Sequence, residues 1–183
     1  MVIRATALLV CLIAFAYASA VQAHSSNATK ALVQSLGFVR GLGAESHPSV
    51  DIVLLSDPQG ELSMKEAQDI EHYLHDHGQD KWAHLKLQRQ RVTNLDAITR
   101  AKIIIVTRGL DPHHKAIADK ARQLGALVMS TDVNCIAAGD CVLGADEANG
   151  VTIYLNETAL RESGFDVDAA FRFMVIKLGG DSE

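Results

Sequence analysis

Two cysteines six positions apart, Cys135 and Cys141, are the residues whose type and spacing most directly suggest chemistry. They bound the stretch CIAAGDC, and the third cysteine, Cys11, is far away. In an exported protein a lone pair favours a disulfide. Five intervening residues are unlike the two of a typical redox-active pair, and two thiolates without further ligands make a poor zinc site. A structural disulfide is therefore the favoured interpretation, with redox or regulatory thiols and a metal site as alternatives.

The amino terminus indicates the compartment, on which the state of these thiols depends. Residues 1–23 have the form of a secretory signal peptide: Arg4 is the positive start, ATALLVCLIAFAYA the apolar core, and VQA the small-residue site before a cut at His24. We predict a mature chain of residues 24–183, one domain, in the periplasm. Cleavage changes the formal net charge from −5 to −6, which argues against nucleic acid and anionic lipid as partners. No later apolar run suits membrane insertion.

Histidine is the other residue type that could do chemistry, with eight copies in the sequence. His72, His75 and His77 lie together in EHYLHDHG, near the end of a predicted helix. The spacing of His72 and His75 would let a metal ion bridge them. A solvated helix face is the favoured interpretation, because a positive charge near a helix carboxyl terminus is stabilised by the helix dipole.

The stretch DPHH follows the clearest predicted strand, the four β-branched residues from Ile103 to Val106. Ligands of α/β proteins bind at the carboxyl ends of such strands. Asp111, His113 and His114 could therefore form a small polar binding site. The alternative is that aspartate and proline here only begin a helix, as both residue types commonly do.

No motif assembles a catalytic site. The sequence contains no G-x-S-x-G, and the glycines of GLG at 41–43 lack the remainder of a dinucleotide fingerprint and precede a strand instead of following it. Nothing pairs a nucleophile with a base. We therefore expect a non-enzyme with no catalytic residues, no bound metal and no cofactor.

Hydrophobic periodicity predicts alternating helices and strands along the whole chain. This order predicts a single α/β domain with a mostly parallel sheet, covered by helices on both faces, and a carboxyl-terminal hairpin and helix. The elements are a helix in KALVQSLGFVR, a strand in SVDIVLLSD, a helix from an N-cap at Ser63 to Gly78, an edge strand in HLKLQRQRV, a strand in KIIIVTRG, a helix in DPHHKAIADKARQLG, a strand in ALVMSTD, a hairpin of CVLGAD and GVTIYLN, and two short helices in ETALRESGFDVDAAFRFMVIKLG.

Taken in order, these segments resemble the YfiR-like family of bacterial periplasmic proteins. The resemblance covers about residues 28–178 and rests on VDIVLLSD, LKLQRQRV, ITRAKIIIVTRGLDP, GALVMSTD and a cysteine-bounded loop ending in CVL. Its most characteristic part is GVTIYLNETALRESGFDV, where a strand ends in asparagine before a short helix and a glycine. The tryptophan-proline pair that follows the family's first helix is replaced here by GLGAESHP.

The resemblance implies a regulator without catalysis. Such proteins bind the periplasmic domain of an inner-membrane sensor, a diguanylate cyclase of cyclic-di-GMP signalling, restrain its output, and form homodimers. Cys135 and Cys141 correspond to the family's carboxyl-terminal cysteine pair, while a second disulfide of that family has no counterpart in the mature chain. The alternative is a small periplasmic solute-binding protein, although such proteins usually have two lobes and a longer chain.

The last helix offers the surface that a partner would need. FDVDAAFRFMVIKL carries more apolar residues than one buried stripe requires, so Phe171, Phe173 and Met174 are candidate partner-binding residues. The alternative is that this segment is simply part of the core.

Overall fold

The structure is a computed structural model that describes residues 27–42, 49–77 and 85–179. The predicted signal segment, its cut and Cys11 lie outside the described residues. The strands are Val50–Ser56 (β1), Leu85–Arg91 (β2), Ile103–Val106 (β3), Leu127–Ser130 (β4), Leu143–Asp146 (β5), Thr152–Asn156 (β6) and Ile176–Leu178 (β7). The α-helices are residues 27–35 (α1), Glu61–His77 (α2), His114–Leu124 (α3), Val133–Ala137 (α4), Glu157–Ser163 (α5) and Ala169–Met174 (α6). Short 3-10 helices span Leu36–Phe38, Val92–Ala97 and Asp111–His113.

The seven strands form one sheet in the order β2-β1-β3-β4-β5-β6-β7. The first five strands pair in parallel, β5 and β6 form an antiparallel hairpin, and β7 returns parallel to β6. This confirms the predicted α/β fold with its mostly parallel sheet and carboxyl-terminal hairpin. Because β2 and β3 lie on opposite sides of β1, the strand order reverses there, and such a switch point opens a crevice at the carboxyl ends of β1 and β3.

Alternation along the strands builds a core on each face of the sheet. Every residue of β1, β3 and β4 is buried. On one face Ile52, Ile103 and Met129 pack with α1, α2, α5 and α6. On the other face Val53 and Ile104 pack with α3, α4 and the Val92–Ala97 helix. The edge strand β2 alternates between half-buried and exposed residues over most of its length, as HLKLQRQRV predicted.

Two predicted details of the helices are wrong. Ser63 is the third residue of α2 and not its N-cap, because the turn at Asp57 lets the helix begin at Glu61. The predicted last helix ends at Met174, and Ile176–Leu178 forms a strand, since pairing with β6 satisfies its backbone groups. Within the described ranges, no helix combines the length and apolar character needed to span a bilayer.

Candidate functional site

Polar side chains gather where β1, β3 and β4 end. The Ser63 and Thr107 hydroxyl oxygens lie 2.6 Å apart, joining the first turn of α2 to the residue after β3. Ser63 Oγ also accepts a hydrogen bond from the Asp57 backbone N–H at 2.8 Å, and Thr107 Oγ1 donates to the Leu55 carbonyl at 3.1 Å. These bonds hold the amino-terminal half of α2 over the switch point.

Glu66 is the carboxylate at the centre of this edge. Its residue is 3 % exposed, and its Oε2 accepts a 2.7 Å hydrogen bond from the Arg108 backbone N–H while the Thr131 hydroxyl donates to Oε1. The Arg108 Nε atom lies 3.7 Å from Oε2. Burial raises the pKa of Glu66 from 4.5 to about 7, outweighing the opposing effect of Arg108, and the nearby Asp69 and Asp132 carboxylates raise it further.

A second cluster lies beside Glu66 and contains Asp111, His114 and Asp132. One ligand-type atom from each residue lies within 4.8 Å of the other two. The Nε2 atom of His114 is 3.8 Å from Asp132 Oδ2, and these side chains are only 6 % and 11 % exposed. Asp111 is exposed and opens the cluster to solvent. Two neighbouring strands position it, since Asp111 and His114 follow β3 while Asp132 follows β4.

Part of this cluster is predictable from the sequence. The predicted polar site at DPHH is present for Asp111 and His114, whereas His113 is half-buried and outside the cluster. Asp132 was not among the predicted residues, although it follows β4, the strand that pairs with β3, by two positions. That position at the same edge of the sheet could have indicated it. Glu66 was also missed, because a glutamate in an amphipathic helix normally points to solvent.

His72 and His75 lie on a solvated face of α2, which confirms the favoured interpretation for these two residues. The His72 and His75 side chains are 78 % and 82 % exposed, and both lie within ion-pair distance of the Asp76 carboxylate, at 3.1 and 3.3 Å. His77 is the last residue of the helix. Asp76, one turn after His72 and next to His75, is sufficient to explain this arrangement.

Cys135 and Cys141 are bonded to each other, as predicted. Both are buried, and the bridge joins α4 to the start of the hairpin on the face of the sheet that carries α3. Asp132 caps α4, since its Oδ1 accepts a 3.0 Å hydrogen bond from the Asn134 backbone N–H. The Cys135 carbonyl accepts 3.0 Å bonds from the backbone N–H groups of Asp140 and Cys141, which close the turn.

The carboxyl-terminal segment divides the three predicted partner-binding residues. Phe171 is 1 % exposed and stacks on Phe38 with ring centroids 4.7 Å apart, so it belongs to the core and cannot contact a partner in this fold. Phe173 and Met174 are 88 % and 64 % exposed, and Ile176 in β7 is 50 % exposed. We call Phe173, Met174 and Ile176 the terminal apolar surface; whether it binds a partner stays a prediction.

Two ion pairs lie next to the terminal apolar surface. Arg172 lies between Phe171 and Phe173, and its guanidinium bonds Glu157 Oε2 at 2.7 Å and Asp166 Oδ1 at 2.9 Å. The Arg172 bond holds the pKa of the Asp166 carboxyl below its usual range. The Glu157 bond joins α6 to α5 beside the sheet edge, where β7 pairs with β6 and no described strand pairs on its other side.

Comparison with known proteins bears on the fold only. No protein-family model matches the sequence, and no curated protein matches it significantly. Among solved structures, a conserved domain protein from Vibrio cholerae aligns with TM-score 0.60 at 13 % identity over 72 % of this chain. A substrate-binding protein with adhesive properties from Clostridium difficile, in its ligand-free, open form, aligns with TM-score 0.58 at 8 % identity over 73 % of the chain. The ABC domain in complex with L-Trp from Streptococcus pneumonia aligns with TM-score 0.61 at 8 % identity over 85 % of the chain.

The chain spans only part of these structures, 55 %, 55 % and 60 % of their lengths respectively. At such identities the likeness shows the shared α/β architecture alone.

Proposed function

We propose that this protein is a periplasmic regulator that binds the periplasmic domain of an inner-membrane sensor, a diguanylate cyclase, and holds its output low. The observation that carries the proposal is the terminal apolar surface beside the outer edge of β7. Exposed aromatic and methionine side chains next to one another are typical of protein-binding sites, and an outer strand edge can accept a strand from a partner. The sequence resemblance to YfiR-like proteins supports the choice of partner.

Two further features agree with a regulator that acts by binding. The hydroxyls at the carboxyl edge are engaged with one another, with backbone groups or with Glu66: Ser63 bonds Thr107, Ser130 Oγ donates to the Val106 carbonyl at 2.8 Å, and the Thr131 hydroxyl donates to Glu66 Oε1. Within the described residues, none of these hydroxyls donates a hydrogen bond to a histidine that could act as a base. The Cys135–Cys141 disulfide is compatible with an oxidising compartment.

The test combines a gene deletion with surface variants. Deleting the gene should raise cellular cyclic-di-GMP, and the wild-type chain should restore the low level and co-purify an inner-membrane cyclase. The double variant Phe173→Ser and Met174→Ser should accumulate normally but fail to restore it, because loss of two exposed anchors weakens binding by roughly 10-fold or more. Leu62→Ser, at an apolar residue 75 % exposed on α2, is the matched control and should behave as wild type.

Solute binding is the second candidate, favoured by the polar side chains at the switch point. It would predict an unchanged cyclic-di-GMP level on deletion and no co-purified membrane protein, and that pair of results would contradict the regulator proposal. The expected homodimer stays a prediction, measurable by analytical ultracentrifugation of the exported chain.

A further inference from the structure

We infer that Asp111, His114 and Asp132 form a binding site for a divalent transition-metal cation, with Zn²⁺ as its best-fitting ion. This goes beyond the regulatory function proposed above and replaces the expectation, from sequence, of no metal. The three residues come from the carboxyl ends of two adjacent strands, which is where parallel sheets place their ligand sites.

The buried ring nitrogen of His114 is the feature that indicates a ligand-binding site. This Nε2 atom is buried and has no hydrogen-bond partner among the described residues, since Asp132 Oδ2 at 3.8 Å is too distant for a hydrogen bond. A buried polar nitrogen without a partner is unfavourable, and such groups normally contact another protein group, water or an ion. The Asp132 carboxylate faces this nitrogen, and the Asp111 carboxylate belongs to the same cluster, so a cation placed among the three side chains would be bound by all of them.

The distances suit one shared ion. Two ligands about 2.0–2.1 Å from a tetrahedral Zn²⁺ lie about 3.3–3.4 Å apart, and the Nε2 to Oδ2 separation of 3.8 Å is close to this value. The widest separation in the cluster is below 4.8 Å. Asp111, being exposed in a 3-10 turn, can move by the ångström or so needed to close the site.

Asp132 is already oriented for this role. Its Oδ1 accepts the capping bond from the Asn134 N–H at 3.0 Å, which leaves Oδ2 toward His114. Its backbone N–H donates to Ser130 Oγ at 3.0 Å, and that hydroxyl donates in turn to the Val106 carbonyl. Such outer bonds commonly fix the geometry of metal ligands.

The ligand set selects the kind of cation. One imidazole nitrogen with two carboxylate oxygens suits Zn²⁺ and related transition ions, whereas Mg²⁺ and Ca²⁺ prefer oxygen alone. Three protein ligands leave a fourth position open on the solvent side, next to exposed Asp111, where water or an anionic group of a bound molecule would complete the coordination.

The test is calorimetric titration of the exported, untagged chain, disulfide intact, with Zn²⁺ in a non-chelating buffer. A background variant, His72→Gln and His75→Gln, removes the two α2 histidines that lie side by side on the solvated face. We expect it to bind Zn²⁺ at the cluster, and His114→Gln in that background to weaken binding at least 10-fold. His113→Gln is the matched control, since that neighbouring histidine lies outside the cluster, and it should bind as the background does.

Asp111→Asn keeps the test decisive if a buried substitution disturbs folding, because Asp111 is exposed. It should also weaken binding at least 10-fold while leaving metal-free thermal unfolding unchanged. An excess of Mg²⁺ should not displace the bound Zn²⁺. The inference is overturned if the background variant binds no Zn²⁺, if Asp111→Asn binds as tightly as the background, or if Mg²⁺ displaces the ion.

Discussion

Replacing Glu66 by glutamine should remove a large pH dependence of stability. The buried carboxyl accepts the Arg108 N–H and contacts the Thr131 hydroxyl. Glutamine has nearly the same shape, and its carbonyl can accept from Arg108 while its amide donates to Thr131 Oγ1. It therefore imitates the protonated carboxyl, which is the form that burial favours.

Proton linkage gives the sign and the size of this pH dependence of stability. The pKa of Glu66 is about 7 in the folded chain, against 4.5 for an ordinary glutamate. Between these values the unfolded chain has released the proton and the folded chain still holds it, so the free energy of unfolding falls as pH rises. The stabilisation from Glu66 is complete below pH 4.5 and is lost as pH passes 7. Each unit of pKa difference corresponds to about 1.4 kcal/mol, which gives a loss of about 3 kcal/mol.

Urea unfolding of wild type and Glu66→Gln at about pH 5 and about pH 8 measures this difference, because other titrating groups cancel between the two proteins. From about pH 5 to about pH 8, the free energy of unfolding of wild type should fall by about 2–3 kcal/mol relative to that of the variant. Glu71→Gln on the same helix is the control. Its carboxylate is 35 % exposed and 3.3 Å from Arg89, so the substitution should change stability by less than about 1 kcal/mol at either pH. Parallel stability curves for wild type and Glu66→Gln would refute the reasoning.

Two further predictions concern the packing around α4. Replacing Cys135 and Cys141 together by alanine should lower the free energy of unfolding by about 2 kcal/mol, because the disulfide no longer restricts a seven-residue loop in the unfolded chain. Denaturant unfolding of both proteins measures this difference. Equal stability would contradict a stabilising role for the disulfide. Gly144→Ala should cost about 1–3 kcal/mol, because the added Cβ would overlap Ile136 Cδ1 and lie 3.1 Å from the Ser130 carbonyl oxygen. Ile136→Val should recover part of that loss in thermal melts, and no recovery would place the strain elsewhere.

The central strands could be predicted because their burial is nearly complete. IIIV in β3 and LVMS in β4 are short apolar or small-residue runs bounded by turn residues, and their length and β-branched residues favour a strand covered on both faces. The helix α3 was equally clear, with Pro112 near its start and Gly125, at φ +62°, ending it. In these segments local preference and tertiary packing agree.

The secondary structure of the carboxyl-terminal segment could not be predicted from its local sequence pattern. FRFMVIKL is apolar at both helical and alternating spacings, so its periodicity does not distinguish a helix from a strand. The chain changes from α6 to β7 at Val175 because β6 offers an unpaired edge. The ring of Phe38, more than 130 positions earlier, then buries Phe171 and leaves Phe173 exposed. Both outcomes depend on contacts distant in sequence.

The polar side chains at the carboxyl ends of β3 and β4 could be predicted only in part from the sequence. Glu66 lies next to Ala67 and one turn before Ile70, so it borders the apolar stripe of α2, and packing over the ends of β3 and β4 buries it. Asp132 could equally be read as an ordinary helix cap, and one of its oxygens does cap α4. A carboxylate has two oxygens, however, and the second faces His114. A capping role therefore leaves a ligand role open, and only the three-dimensional arrangement shows that both can be filled at once.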